Sequence, residues 1–279
     1  MITTNPFNEL AALISSEIMQ GYIILMFILV VLGTVLDMMH KKSAKYFFAN
    51  AQKAQKAAKR TVSGGEKASM LVQTVASEVL TSSEFCNPRR RLSHLLTMYG
   101  FIIFVVTTAM MIFGADTASG TLPMLWHLGA LMLAVGGYWF WFFIRVDVAA
   151  EGIKWYQLRQ ADIFIVGLLA TSTFALLWSF AQSSHIAGWD MLFFVLFIIS
   201  STTLFSTVLW SKFAHMFFKP AAAFQKRVIK ADGSMENLPA DYDLSDPAVH
   251  AKFPDVPEYM GKNPPNMGLG IKREAPRHY

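Results

Sequence analysis

Five apolar segments, each about 20 residues long, constrain this chain more than any other feature. They cover residues 21–39, 95–114, 124–144, 163–181 and 191–210. About 20 apolar residues is the length an α-helix needs to cross the hydrocarbon of a bilayer. Inside a bilayer no water serves the backbone, so a spanning segment must satisfy its own N–H and C=O groups as a helix. A β-barrel would show short alternating segments, and none are present in the sequence. Trp126, Trp139, Trp141, Trp178, Trp189 and Trp210 fall towards segment ends, as an aromatic belt would. The chain is 54% hydrophobic and 15% charged, which excludes an ordinary soluble domain. The expected fold is an all-α membrane protein: a five-transmembrane-helix bundle with a cytoplasmic helical loop and an extended C-terminal tail.

Charge sets the orientation. The loop 41–93 carries eleven Lys or Arg against three Glu, and Arg145, Lys154 and Arg159 follow the third span. The connections 115–123 and 182–190 carry no Lys or Arg. The positive-inside rule then puts the N-terminus outside and the C-terminus in the cytoplasm. No signal peptide is expected, because the first twenty residues lack a basic start and a small-residue cleavage site.

Three regions follow. Residues 1–20 begin a helix at Asn5-Pro6, with Phe7, Leu10, Ala11, Ile14 and Ile18 at helical spacing, and read as an interfacial amphipathic helix or as an extension of span one. Residues 21–215 form the transmembrane domain. Within its loop, 41–60 is rich in Ala, Lys and Gln and predicts a helix continuing span one. Ser63-Gly64-Gly65 breaks that helix, and a second is predicted over 66–80. The basic loop suits anionic lipid, an acidic partner or plain solvation. Residues 216–279 read as a tail with little helical periodicity and most of the prolines. Anchors such as Phe253, Val256, Tyr259, Met260, Met267 and Leu269 suit docking of a cytoplasmic partner.

The chemistry rests on histidines. Cys86 is the single cysteine, so the chain alone builds neither an iron–sulfur cluster nor an internal disulfide. Any redox role then needs haem, flavin, quinone or a partner's cluster. His94 opens span two and His215 closes span five on the same side, a placement that suits a haem iron held by two imidazoles, or two interfacial histidines bonded to water and headgroups. His127 and His185 form a second candidate pair on the other side. Tyr99, Thr107, Thr108 and Asp162 are the polar candidates for a quinone carbonyl, while Gly100 suits close approach of a ring or of another helix. Arg89, Arg90, Arg91 and Lys212 surround the mouth beside His94 and His215. Charges deep in the spans are few, which counts against an ion pump and less against a carrier of a neutral, lipid-like molecule. No nucleic-acid partner is expected.

RRRLSHLLTMYGFIIFVVTT (residues 89–108) resembles the second membrane helix of the respiratory cytochrome b family. That family includes the membrane subunits of nitrate reductase, heterodisulfide reductase and the quinone-interacting Qmo complex. SKFAHMFFKP (211–220) resembles the motif closing its fifth helix, and Asp162-Ile163-Phe164 the start of its fourth. The resemblance covers residues 84–220. It implies a bundle passing electrons from a cytoplasmic iron–sulfur or flavin oxidoreductase to quinone, commonly through haem b. His94 and His215 match one haem-ligating pair. At the second pair this chain has Phe104 and Phe197, which cannot ligate iron, so a haem-free anchor is the alternative implied. The tail, ending MGLGIKREAPRHY, resembles the branch that anchors dissimilatory adenylylsulfate reductase in sulfur oxidation, which implies the inner membrane of a bacterium.

Overall fold

The computed structural model describes residues 2–85, 87–114, 119–146, 154–186, 188–238 and 246–255. Among them there is no strand, and five helices are long and apolar enough to cross a membrane. The chain is therefore an all-α membrane bundle. Cys86 and residues 256–279, which carry most of the anchors assigned to the tail, lie outside the described residues.

Helix α1 is Pro6–Leu10, and α2, the first span, is Ser16–Lys41. Helix α3 is Ser43–Ala57, and α4 is Gly64–Thr74, running on as a π-helical turn over Val75–Leu80. The remaining spans are α5, Pro88–Ile112; α6, Thr121–Phe143; α7, Ile163–Ser183; and α8, Trp189–Ser206. Helix α9 is His215–Ala231, and α10 is Pro247–Lys252. Spans α5 and α6 pair most closely, then α7 and α8, with α6 joining the two pairs. Span α2 sits against α8 and α5 with far less contact, and buries only Met19, Met26 and Asp37.

The α5–α6 pair is close because glycine faces backbone. A Cβ on Gly100 would lie 2.6 Å from the Leu133 nitrogen and 2.8 Å from the Gly129 oxygen. A Cβ on Gly129 would in turn lie 2.7 Å from the Phe104 nitrogen. Lipid tails are as apolar as Leu, so spans associate through such close packing and through interhelical hydrogen bonds. Ser93 supplies one of the latter, donating to the Gly136 carbonyl at 2.8 Å.

Three expectations are revised. Residues 1–20 form no single helix: α1 covers Pro6–Leu10 alone and packs into the bundle, while span one begins at Ser16, as the alternative of an extended first span expects. Asn5 caps α1 by accepting from the Phe7 N–H at 3.0 Å, and Phe7 and Leu10 are buried. Phe7 meets Trp178 at 5.3 Å and Trp126 at 6.0 Å, while Gln182 donates to the Pro6 carbonyl at 3.0 Å. The aromatic pocket covers those two side chains fully, where an interface would cover one face. Span five ends at Ser206, before the end of its apolar run. The run continues because Val208, Phe213 and Ala214 fold inwards as a turn against Leu133, Leu168 and Leu204. His215 therefore opens a separate helix rather than closing the fifth.

The third revision concerns the tail, which is helical from His215 to Ala231. Helix α9 lies against α3, α4 and the π-turn at the basic end of the bundle. Arg227 donates to Ser77 Oγ at 2.7 Å and Glu78 Oε1 at 3.0 Å, and Gln225 to the Phe47 carbonyl at 2.8 Å. Its last carbonyls, orphaned as at any helix end, are taken up by the preceding loop. The Arg60 side chain donates to the Ala231 carbonyl at 2.6 Å, and the Lys59 N–H to that of Asp232 at 2.8 Å. Ser63 and Glu66 close a capping box on α4, as the break at Ser63-Gly64-Gly65 allows. Helix α3 follows span one after a kink at Lys42, whose φ is 52°.

Candidate functional site: an intramembrane cavity beneath the basic end

The 211–220 stretch, SKFAHMFFKP, joins span five to α9. Ser211 Oγ accepts from the Phe213 N–H at 3.2 Å, which turns the chain so that Phe213 packs inwards and His215 begins α9. The His215 ring meets Phe164 edge-on at 5.8 Å, and its Nδ1 bonds the Lys212 carbonyl. His94 Nδ1 lies 3.0 Å from Ser82 Oγ, and its ring is 4.9 Å from Phe85. Both imidazoles share Glu84 and Lys219 as charged neighbours, and those two pair at 3.0 Å. Arg90 and Lys219 both sit over the Phe85 ring. The structure thus gathers His94 and His215 into one cluster.

That cluster meets one requirement of a bis-imidazole haem and not the other. Each Nδ1 is engaged, and neither Nε2 has a hydrogen-bond partner among the described residues, the usual way a metal-binding imidazole is oriented. A porphyrin also needs an apolar slot between its ligands. Here the shared surroundings of the two rings include an ion pair, and neither histidine lines the large cavities described below.

His127 and His185 are not brought together as a site. His127 is buried, with Nδ1 2.7 Å from the Pro123 carbonyl and Nε2 2.7 Å from Ser179 Oγ. The carbonyl can only accept, so Nδ1 donates and Nε2 accepts from Ser179, which uses both nitrogens to tie α6 to α7. His185 is exposed in the turn after α7, at φ 52°. Phe104 and Phe197 meet edge to face at 6.2 Å, flanked by Trp126 and Trp178.

A cavity of about 520 Å³ lies between span one and α5, α7 and α8. Phe7 and Ile14 close one end of it, and Phe213, Met216 and Phe217 of the 211–220 region reach the other. Among the four residues expected to meet a quinone, only Thr108 lines this cavity. Its hydroxyl is already committed, accepting from Trp126 Nε1 at 2.9 Å and donating to the Phe104 carbonyl at 2.7 Å. Thr107 donates to the Ile103 carbonyl at 2.7 Å, and Tyr99 to the Leu80 carbonyl at 2.6 Å. Asp162 is taken by Arg145 at 2.5 Å and by the Arg159 N–H at 2.9 Å. It borders a second cavity of about 360 Å³, between α7 and α8.

Thr171 and Ser201 were missed. Both are buried, both line the larger cavity, and neither hydroxyl has a hydrogen-bond partner among the described residues. Their neighbours Ser172, Ser200, Thr202 and Thr203 all return a bond to their own helix. The hydroxyl-rich runs 171–173 and 200–203 were visible in the sequence, but nothing in composition tells which hydroxyl is left over.

Fold and cavity together define a class, a five-span α-helical membrane protein with an apolar intramembrane chamber. No family model, curated protein or solved structure matches the chain.

Proposed function

We propose that this chain anchors a cytoplasmic iron–sulfur oxidoreductase to the membrane and delivers its electrons to quinone. The observation that carries the reading is the 520 Å³ chamber, which reaches from Phe7 and Ile14 at the far end of the bundle to the 211–220 turn at the basic end. Such a chamber suits a quinone ring and the first part of its tail, since ligand sites are commonly apolar and of this size. The excess of Lys and Arg at the basic end supports placing that end in the cytoplasm, at the inner membrane of a bacterium. There α3, α4 and α9 offer a helical platform to the partner. The resemblance to anchors of adenylylsulfate reductase supports, as the partner, an enzyme oxidising sulfite with AMP.

When bound, a b-type haem at His94 and His215 would supply one-electron transfer between partner and quinone. The charged surroundings of the two rings favour the haem-free form of the reading. A neutral carrier is the remaining, more distant reading.

The test uses the purified chain with its candidate reductase. Sulfite- and AMP-dependent quinone reduction is expected in the reconstituted complex, with no b-type bands in a dithionite-reduced minus oxidised spectrum. One haem per chain, lost in His94→Ala and His215→Ala, would establish the cytochrome form instead. Deleting residues 241–279 is expected to release the reductase from membranes. Retention would remove the docking role of the tail.

A further inference from the structure

We propose that Thr171 and Ser201 form a hydroxyl clamp for the polar head of a neutral amphiphile seated in the chamber. The head is a carbonyl or a phenol, and the rest is a long apolar tail. As an assignment for quinone, the clamp rests on the function proposed above. As an assignment for the chamber, it stands on the geometry alone.

Three observations carry it. The first is the pair of unpartnered hydroxyls. Thr171 is 3% exposed and Ser201 is 4% exposed, so bulk solvent does not serve them, and both residues line the cavity. A buried polar group left unpaired is costly, which makes a ligand atom the natural partner.

The second is register. Gly167 of α7 sits against Leu204 of α8, with Leu204 Cβ 3.2 Å from where a Gly167 Cβ would be. The two helices are antiparallel, so one turn further along α7 is one turn back along α8. Thr171 therefore stands level with Ser200 and Ser201. Ser201 lies about 7.5 Å below the end of α8 at Ser206, at 1.5 Å per residue. Both residues line the cavity at one depth, in the half of the bundle nearer the basic end.

The third is the absence of charge. No Asp, Glu, Lys, Arg or His is among the cavity's lining residues. A phosphate or ammonium head would be desolvated there without a counter-charge, so a charged lipid is disfavoured. A hydroxyl both donates and accepts. One pair can therefore serve a carbonyl acceptor and the phenol donor it becomes on reduction.

The test is direct binding to the full chain in nanodiscs. The probes are decyl-benzoquinone and decylbenzene, which share a tail and differ in the head. Thr171→Val and Ser201→Ala are each expected to weaken decyl-benzoquinone about tenfold, and the double variant about a hundredfold, with decylbenzene unchanged. Because each substitution removes an unpaired buried hydroxyl, the melting temperature of the ligand-free protein should hold or rise. Equal decyl-benzoquinone affinity in the parent and the folded double variant would overturn the clamp. So would equal losses for both probes with a lower melting temperature, because that marks the two as packing residues. If the parent ignores decyl-benzoquinone but binds monodecanoylglycerol, and the double variant loses it, the clamp stands and the quinone reading fails.

Discussion

Asp162 and Arg145 meet where the third span hands over to the fourth, and both are nearly buried. Arg145 also donates to the Trp155 carbonyl at 2.6 Å and the Gln157 carbonyl at 3.0 Å, and lies 4.0 Å over the Trp141 ring. Removing one partner of such a pair leaves a buried charge uncompensated, at a cost of about 3–5 kcal/mol. Asp162→Ala should lower stability by that order in thermal unfolding in detergent. The double variant Arg145→Met/Asp162→Leu should recover most of it. If Asp162 instead served quinone, the single variant would change binding and leave stability near the parent's.

His215 gives a pH signature. Burial holds its imidazole below the ordinary value of 6.5, and Lys219 and Lys212 push the same way against the Lys212 carbonyl and Glu84. A base whose folded pKa is depressed favours folding above its unfolded pKa, and that contribution is lost as pH falls through the folded value. The melting temperature should therefore hold above about pH 7 and decline as pH drops below about 6.5. His215→Gln should flatten part of that slope.

Among the helices, α5 and α6 depend on contacts that admit no side chain at Gly100. Gly100→Ala would push a methyl against the Leu133 nitrogen and the Gly129 oxygen, both backbone atoms that cannot swing away. Overpacking of this kind costs about 1–3 kcal/mol. Gly21→Ala in span one, with nothing within 4 Å, is the matched control and should change stability little. Equal melting temperatures for the two variants would contradict the packing account.

The spans themselves were legible because twenty apolar residues admit few other readings. Their ends were less so. The run to Trp210 reads as helix, yet Val208 is buried in a turn against Gly33 of span one. Helix α9 was hidden because its pairing surface is polar. Arg227, Gln225 and Lys219 find Glu78, Phe47 and Glu84 only once the loop has folded. The candidate site suffered most. Thr107 and Thr108 look as available as Thr171 in a string of letters, and only the three-dimensional hydrogen-bond inventory separates them.

At the scale of the whole molecule, the basic helices α3 and α9 gather with α4 at one end and leave the α1 plug at the other. In a Cys86→Ser background, Lys53→Cys should react with an impermeant maleimide only from the cytoplasmic face, and Ser119→Cys only from the outer face. Both positions are exposed, so the readout reports sidedness rather than burial. The reverse pattern would invert the orientation and move the proposed docking platform to the other side of the membrane.

Span one forms a wall of the chamber while gripping its neighbours weakly. Tyr22 and Thr202 hydroxyls 3.0 Å apart, and Gln20 donating to the Ile112 carbonyl at 3.2 Å, are its main polar ties. A ligand proposed for such a chamber would enter sideways, through the lipid, in two dimensions. What fills it is then set by mole fraction in the bilayer rather than by concentration in water. Occupancy becomes a property of the membrane's own composition, and two cells holding the same amount of this protein but different lipids would hold it in different states.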